Sequence, residues 1–158
     1  MACKKYYLSE GDMMDAVCIR IADMNDAEII SKHEQHMTKA VIKDKISRNE
    51  IFVAYDDNAF IGWLRYGLLY DIVPFMYMLE MLPEYRNKGL GKRLVLFWED
   101  SMHEQGHRMV MTSTQQNEDA QHFYNVLGYA AVGGFIQTYD AVTEDSYEII
   151  LSKKLEGK

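Results

Sequence analysis

Apolar positions along the chain alternate between the period of a strand and that of a helix, and the changes of period mark the elements. Val17-Cys18-Ile19-Arg20-Ile21 is rich in β-branched residues and reads as a short strand. Asn25-Asp26 then supply a helix cap, with Ile29, Ile30 and His33 at helical spacing. A second helix is predicted from Thr38, carrying Val41, Ile42 and Ile46. Ile51 to Tyr55 is a strand, Asp56-Asp57-Asn58 is turn chemistry, and Phe60 to Tyr66 returns as the partner of a hairpin. Phe75 to Leu82 is a nearly unbroken apolar run stopped by Pro83, the pattern of a strand buried on both faces. Leu90, Leu94, Phe97, Trp98 and Met102 keep helical spacing as far as Gln105, and Gly106 is placed to end that helix. Met109 to Thr112 is a further strand. Asn117 caps a last helix with Glu118 and Asp119 in its first turn and a buried face of Ala120, Phe123, Tyr124 and Leu127, closed by Gly128. Tyr129–Ile136 and Ser146–Leu155 are the final strands.

The predicted order of strand, two helices, three strands, helix, strand, helix and two strands is that of an α+β fold, a mixed sheet with helices packed on it. Residues 1–16 carry only weak periodicity and are expected to extend a single domain spanning 1–158. With 48% apolar residues in 158, such a domain can bury a real core, and 26% charged residues, near the average of soluble proteins, do not suggest a disordered chain. A net charge of −7 makes a nucleic-acid partner a poor fit, because that role needs a broad basic face. No apolar run approaches the ~18 residues of a spanning helix, so no membrane partner is expected. Cys3 and Cys18 are too few for a disulfide scaffold, and the start of the chain has no secretory apolar stretch. Free thiols and a cytoplasmic location are the resulting expectations.

Against that acidic background, the segment from Arg86 to Arg93 holds four basic residues and no acidic one. It joins the apolar strand to the start of a long helix, where unpaired N–H groups and the helix dipole attract an anion. Gly89 and Gly91 let the backbone approach such a ligand without interference from a Cβ. A Walker-type loop does not fit, because position 86 is Arg and Lys92 is followed by Arg93. A dinucleotide fingerprint does not fit either, because Leu94 stands where its third glycine belongs. A plain basic turn ending on a glycine is the structural alternative.

The turn Arg86-x-x-Gly89-x-Gly91, following Pro83-Glu84-Tyr85, occurs together with Asn117 and Ala120-x-x-Phe123-Tyr124-x-x-Leu127-Gly128-Tyr129. In this order and separation the two segments resemble the GNAT superfamily of acyl-CoA-dependent N-acyltransferases. The element order matches from about Val17 to Leu155, and the motifs from about Leu79 to Tyr129. The resemblance implies a mostly antiparallel central sheet, splayed at the cofactor site and flanked by helices. It implies acetyl-CoA as co-substrate and no metal. The pyrophosphate cradle would be the main chain of Arg86, Asn87, Lys88, Gly89, Leu90, Gly91 and Lys92. Leu79 and Met81 would pair with the pantetheine arm through main-chain atoms, and Asn117 would reach the pantetheine or cap its own helix. Tyr124 matches the tyrosine that sits near the coenzyme sulfur in that family. A phenol of pKa about 10 can protonate a thiolate of pKa about 8.5. The alternative for Tyr124 is a core aromatic beside Phe123.

The general base is less legible. At the strand positions where family members often place Glu or His, this chain has Phe75 and Tyr77, and Thr112 stands where others use Glu. Glu80 is the carboxylate within the apolar run, where burial would raise its pKa toward a useful value. Pairing with an arginine or an amide is its structural alternative. His33 and His36 are the next candidates. His103-Glu104-Gln105-Gly106-His107 spells a zinc-protease signature, but Gly106 falls where the helix should stop, so the two imidazoles are not expected to share a face.

The activity implied is direct transfer of an acetyl group from acetyl-CoA to a primary amine in a ternary complex. The alternative is a non-catalytic acyl-CoA-binding sensor of the same fold. The expected partner is a small-molecule or peptide amine, and a homodimer stays open. Trp63, Tyr66, Tyr70 and Tyr139, with Asp140, Glu144 and Asp145, are candidates to line an acceptor side suited to a cation.

Overall fold

The structure, a computed structural model, describes residues 4–6, 17–115, 119–137 and 146–155. Its elements are β1 (Lys4–Tyr6), β2 (Val17–Ile21), α1 (Ala27–His33), α2 (Lys39–Ser47), β3 (Ile51–Asp56), β4 (Ala59–Leu69) and β5 (Val73–Met81). They continue with α3 (Leu90–Glu104), β6 (Met109–Gln115), α4 (Ala120–Val126), β7 (Ala130–Gln137) and β8 (Ser146–Lys154). Short 3₁₀ turns precede α1 (Met24–Asp26) and follow β5 (Pro83–Tyr85). This is the expected order with one addition, β1, which pairs antiparallel with β2 and includes Lys5 opposite Cys18. Cys18 itself is disulfide-bonded rather than a free thiol.

The strand order is β1-β2-β3-β4-β5-β6-β8-β7. The β5–β6 pair is parallel, whereas β1–β2, β2–β3, β3–β4, β6–β8 and β7–β8 are antiparallel. The parallel ladder consists of Phe75↔Met111 and Met76↔Thr112 only. Among the described residues no helix is long and apolar enough to cross a membrane. The chain divides into two compact units, Met1–Tyr66 with Met78–Trp98, and Gly67–Tyr77 with Glu99–Lys158.

In the first unit, the alternation of β3 explains why its apolar run is unbroken. Ile51 and Val53 join Ile30, Ile42, Ile46 and Trp63 in a core with α1 and α2. Phe52, on the opposite face, meets Phe97 of α3 edge-on at 5.8 Å, and Tyr66 packs on Trp98 at 5.8 Å. Both faces of the strand are therefore covered. Thr38 caps α2 as predicted, its hydroxyl accepting from the Val41 N–H.

The cap of α1 differs from expectation. Asp23, not Asn25 or Asp26, accepts at the head of the helix, from the Asn25 N–H at 2.8 Å, while Asp26 takes the Asp23 N–H at 2.7 Å. Asp26 points inward because it has other partners: Arg20 donates to both of its oxygens at 2.7 and 2.9 Å, and the Tyr55 hydroxyl donates at 2.7 Å. Burial works to raise the Asp26 carboxyl, but Arg20, the Asp23 amide and Tyr55 outweigh it and hold the group below its ordinary range. A carboxyl lowered in the folded state contributes stability above its unfolded pKa and loses it as the pH falls through the lowered value. Asp26→Asn is expected to cost about 2–4 kcal/mol near neutrality, because it removes the carboxylate that Arg20 grips with two nitrogens and leaves that guanidinium with the longer ion pair to Asp23, at 3.6 Å. Melting curves taken from neutral pH into strong acid should show the two midpoints converging as Asp26 is protonated. A constant gap would show that the charge of Asp26 contributes nothing.

In the second unit, β6 alternates cleanly, with Val110, Thr112 and Thr114 buried. Its neighbour β8 pairs with it along the whole of β6, from Met109↔Lys154 to Gln115↔Glu148. α3 ends as its sequence predicts: Gly106 adopts φ +92°, its N–H bonds the His103 carbonyl, and the His107 N–H bonds that of Met102. Gly128 closes α4 in the same way, at φ +90°.

Candidate functional site

The basic turn lies within the first unit. Asn87 and Gly89 both take left-handed backbone, at φ +59° and +74°. Asn tolerates this conformation and Gly is indifferent to it, so the residue types match the turn. The first hydrogen bond of α3 runs from the Arg93 N–H to the Gly89 carbonyl at 3.2 Å. The N–H groups of Leu90, Gly91 and Lys92 therefore precede the helical ladder and have no partner within it. A Cβ placed on Gly89 would meet nothing within 4 Å, so the turn is open on that side. Asn87, Lys88 and Lys92 are exposed, whereas Leu90 is buried and anchors the helix start. Lys88 Nζ stands 5.4 Å from the centre of the Tyr85 ring. Amides outside the helical ladder and the positive end of the helix meet an open backbone in a basic stretch of chain, an arrangement that fits a phosphate.

Arg86 is tied back to the strand that precedes it. Its Nε donates to the Met81 carbonyl at 2.9 Å, and its guanidinium pairs with Glu80 at 3.3 Å. The turn is thus fastened to the end of β5 by a side chain, while the Leu82 N–H holds that end to the Ile61 carbonyl at 2.9 Å. Gly62 lets the strands approach: a Cβ there would lie 2.6 Å from the Glu80 carbonyl oxygen and from the Met81 sulfur. Met81 is buried as expected, and Leu79 is half-buried. Glu80 departs from expectation. Its side chain is 40% exposed, because β5 presents that face to solvent toward its end, and its partner is Arg86. Neither it nor the run as a whole is buried on both faces; Tyr77 is 47% exposed.

Tyr124 lies in the second unit, on α4, and is only 7% exposed. Its ring meets Phe123 at 5.1 Å and Tyr129 at 5.5 Å, both edge-on. Thr112 donates its hydroxyl to the Met76 carbonyl at 3.0 Å and so fastens β6 to β5. His103 lies in the last turn of α3 and His107 beyond its end, as Gly106 predicts, so the zinc-like string does not lie along one helix. No group of residues able to hold a metal is present among the described residues.

Asn117, Tyr139, Asp140, Glu144 and Asp145 lie outside the described residues. Trp63 and Tyr66 prove to be core, at 2% and 5% exposure, because they point to the two covered faces of β4; Tyr70 sits at a hairpin tip, 83% exposed. His33 stacks on Phe60 at 5.5 Å and is half-buried, while His36 is exposed. Two buried carboxylates escaped the sequence reading. Glu34, between α1 and α2, pairs with Arg65 at 3.4 Å, and Glu99 on α3 accepts from Tyr129 and Lys153. Neither has a local signal: Glu34 follows a polar stretch, and Glu99 looks like the polar side of an amphipathic helix.

The sequence pattern of the acetyltransferase (GNAT) family matches residues 19–129. No curated protein matches the chain by sequence. Among solved structures, Ard1 from Thermoplasma volcanium superposes with a TM-score of 0.75 at 15% identity, covering 89% of this chain and 99% of its own. The ribosomal-protein-S18-alanine N-acetyltransferase from Escherichia coli gives 0.73 at 15% identity, covering 90% and 96%. The protein yncA from Salmonella typhimurium, solved with its cofactor acetyl-CoA, gives 0.72 at 15% identity, covering 90% and 95%. At these identities the structures attest the fold, while the family pattern spans well over half of the sequence. The chain belongs to the GNAT family of acetyltransferases.

Proposed function

We propose that this protein transfers the acetyl group of acetyl-CoA to a primary amine by direct attack in a ternary complex. The observation that carries the reading is the turn from Arg86 to Lys92: left-handed at Asn87 and Gly89, open above Gly89, and fastened to β5 through Arg86. Those features suit the main-chain amides of Leu90, Gly91 and Lys92 to the diphosphate of the co-substrate. Leu79 and Met81 are the proposed main-chain partners of the pantetheine arm. Met81 also gives its carbonyl to the Arg86 side chain, which ties this part of the strand to the turn. In the reaction a bond forms between the amine nitrogen and the acetyl carbon, and the carbon–sulfur bond breaks. Tyr124 gives its hydroxyl proton to the departing thiolate, and Glu80 takes the proton of the amine, directly or through water. Holding amine and thioester together supplies most of the acceleration, and polarisation of the carbonyl by a main-chain N–H adds to it.

The test is thiol release from acetyl-CoA over a panel of polyamines, aminoglycosides, lysine derivatives and peptide N-termini. At least one class should be acetylated, and coenzyme A alone should raise the melting temperature by mass action. Thermal stabilisation without thiol release from any amine would make the protein an acyl-CoA sensor. No stabilisation at millimolar coenzyme A would remove the reading altogether. Glu80→Gln should lower kcat about tenfold, below the usual range for a general base because water can reach a half-exposed site. A rise in the KM for acetyl-CoA with kcat unchanged would instead make Glu80 an anchor for Arg86.

A further inference from the structure

Behind Tyr124 lies a buried polar cluster that the reaction does not use. The Tyr129 hydroxyl donates to Glu99 Oε1 at 2.9 Å, and Lys153 Nζ donates to Glu99 Oε2 at 2.5 Å. Lys153 Nζ also stands 5.7 Å from the centre of the Tyr129 ring. Tyr129 and Glu99 are 3% and 5% exposed. The three residues come from the connection between α4 and β7, from α3 and from β8, so they bind together elements far apart in sequence. Within this arrangement Tyr129 touches Tyr124 twice. Its N–H donates to the Tyr124 carbonyl at 3.0 Å, and its ring meets the Tyr124 ring edge-on at 5.5 Å. The backbone and the ring plane of Tyr124 are thereby set by one residue, which is itself fixed by an ion pair.

We propose that Glu99, Tyr129 and Lys153 form a positioning unit that holds the Tyr124 ring in the orientation from which its hydroxyl acts. The inference rests on the reading of Tyr124 as the proton donor. Two phenols lie side by side here, and their environments divide the work between them. The Tyr129 proton is committed to Glu99; burial first, and then the neighbouring carboxylate, push that phenol far above its ordinary value. Tyr129 therefore stays neutral and keeps its proton, which suits a fixed support and not an acid. The carboxylate meets Lys153, so the support does not place an uncompensated negative charge beside Tyr124. An edge-on aromatic pair of this kind fixes relative orientation as well as contributing contact.

A double-mutant cycle tests this. Tyr129→Phe removes one oxygen and should lower kcat about tenfold in the wild-type background, with the affinity for coenzyme A changed by less than about twofold. In a Tyr124→Phe background the same substitution should produce no further loss, because the group it positions is gone. Glu99→Leu should match Tyr129→Phe, and Glu99→Gln, which keeps an acceptor for the Tyr129 hydroxyl, should lose less. These Glu99 variants also carry the test if Tyr129→Phe fails to melt cooperatively. Equal losses in both backgrounds would overturn the positioning role and leave a general contribution to stability. No loss in either background would overturn it as well. Full turnover in Tyr124→Phe alone would remove the proton-donor reading and this inference with it, so the two failures are told apart by which variant shows them.

Discussion

Tyr124→Phe is expected to lower kcat for amine acetylation by about 10²–10³-fold while leaving coenzyme A affinity within about twofold. The substitution keeps the ring, so the edge-on packing against Phe123 and Tyr129 survives and the 7%-exposed site does not collapse. What disappears is the proton for the departing thiolate. Because that charge develops only as the carbon–sulfur bond breaks, the loss should fall on kcat and not on ground-state binding. Single-turnover measurements with saturating acetyl-CoA and amine separate the two. An unchanged rate would make Tyr124 a core aromatic, and the thiolate would then leave unprotonated.

Most of the fold was written in local patterns. α3 could be bounded at both ends because Leu90, Leu94, Trp98 and Met102 repeat at helical spacing and Gly106 can take the left-handed conformation that ends a helix. The β3–β4 hairpin was equally plain, with Asp57 and Asn58 at its turn. β1 was not legible, since three residues with no alternation give no signal of their own and gain their place from pairing with β2. The cap of α1 was misplaced by a few residues for a tertiary reason. Asn25 and Asp26 are both good capping residues, but Arg20 and Tyr55, brought close by the sheet, draw Asp26 inward and leave the cap to Asp23.

The site divides in the same way. The shape of the turn was readable because its signals are local: Asn87 and Gly89 where the backbone is left-handed, in a stretch of basic residues. Glu80 shows the limit of a burial argument from an apolar run. A strand flanked by Met78, Leu79 and Met81 looks enclosed in sequence, yet near its end Glu80 reaches solvent and Arg86. Trp63 and Tyr66 show the converse, since an aromatic on a hairpin can line a cleft or fill a core, and only the covered faces of β4 decide. Glu99 was invisible because the partners that make it a buried acceptor lie between α4 and β7 and on β8, remote in sequence.

Gly89→Val should weaken coenzyme A binding by at least about 10²-fold, the consequence of losing charge-assisted hydrogen bonds from the turn at about 1.5–3 kcal/mol each. Two effects combine at this position. A β-branched side chain is strained at φ +74°, and its methyl groups would occupy the open space through which a diphosphate approaches the Leu90, Gly91 and Lys92 amides. Gly89→Ala carries the backbone strain with little bulk, and its Cβ would meet nothing within 4 Å, so a smaller loss of affinity is expected. Gly91→Val carries the bulk without that strain, because Gly91 is already inside α3. Calorimetric titration of the three variants with coenzyme A, alongside melting curves without ligand, separates distortion of the turn from obstruction of it. If obstruction dominates, Gly91→Val should bind about as poorly as Gly89→Val with its unliganded melting temperature nearly unchanged. Wild-type affinity in both valine variants would show that the diphosphate is held elsewhere, and the cations around the turn would then be no more than the solvated start of a helix.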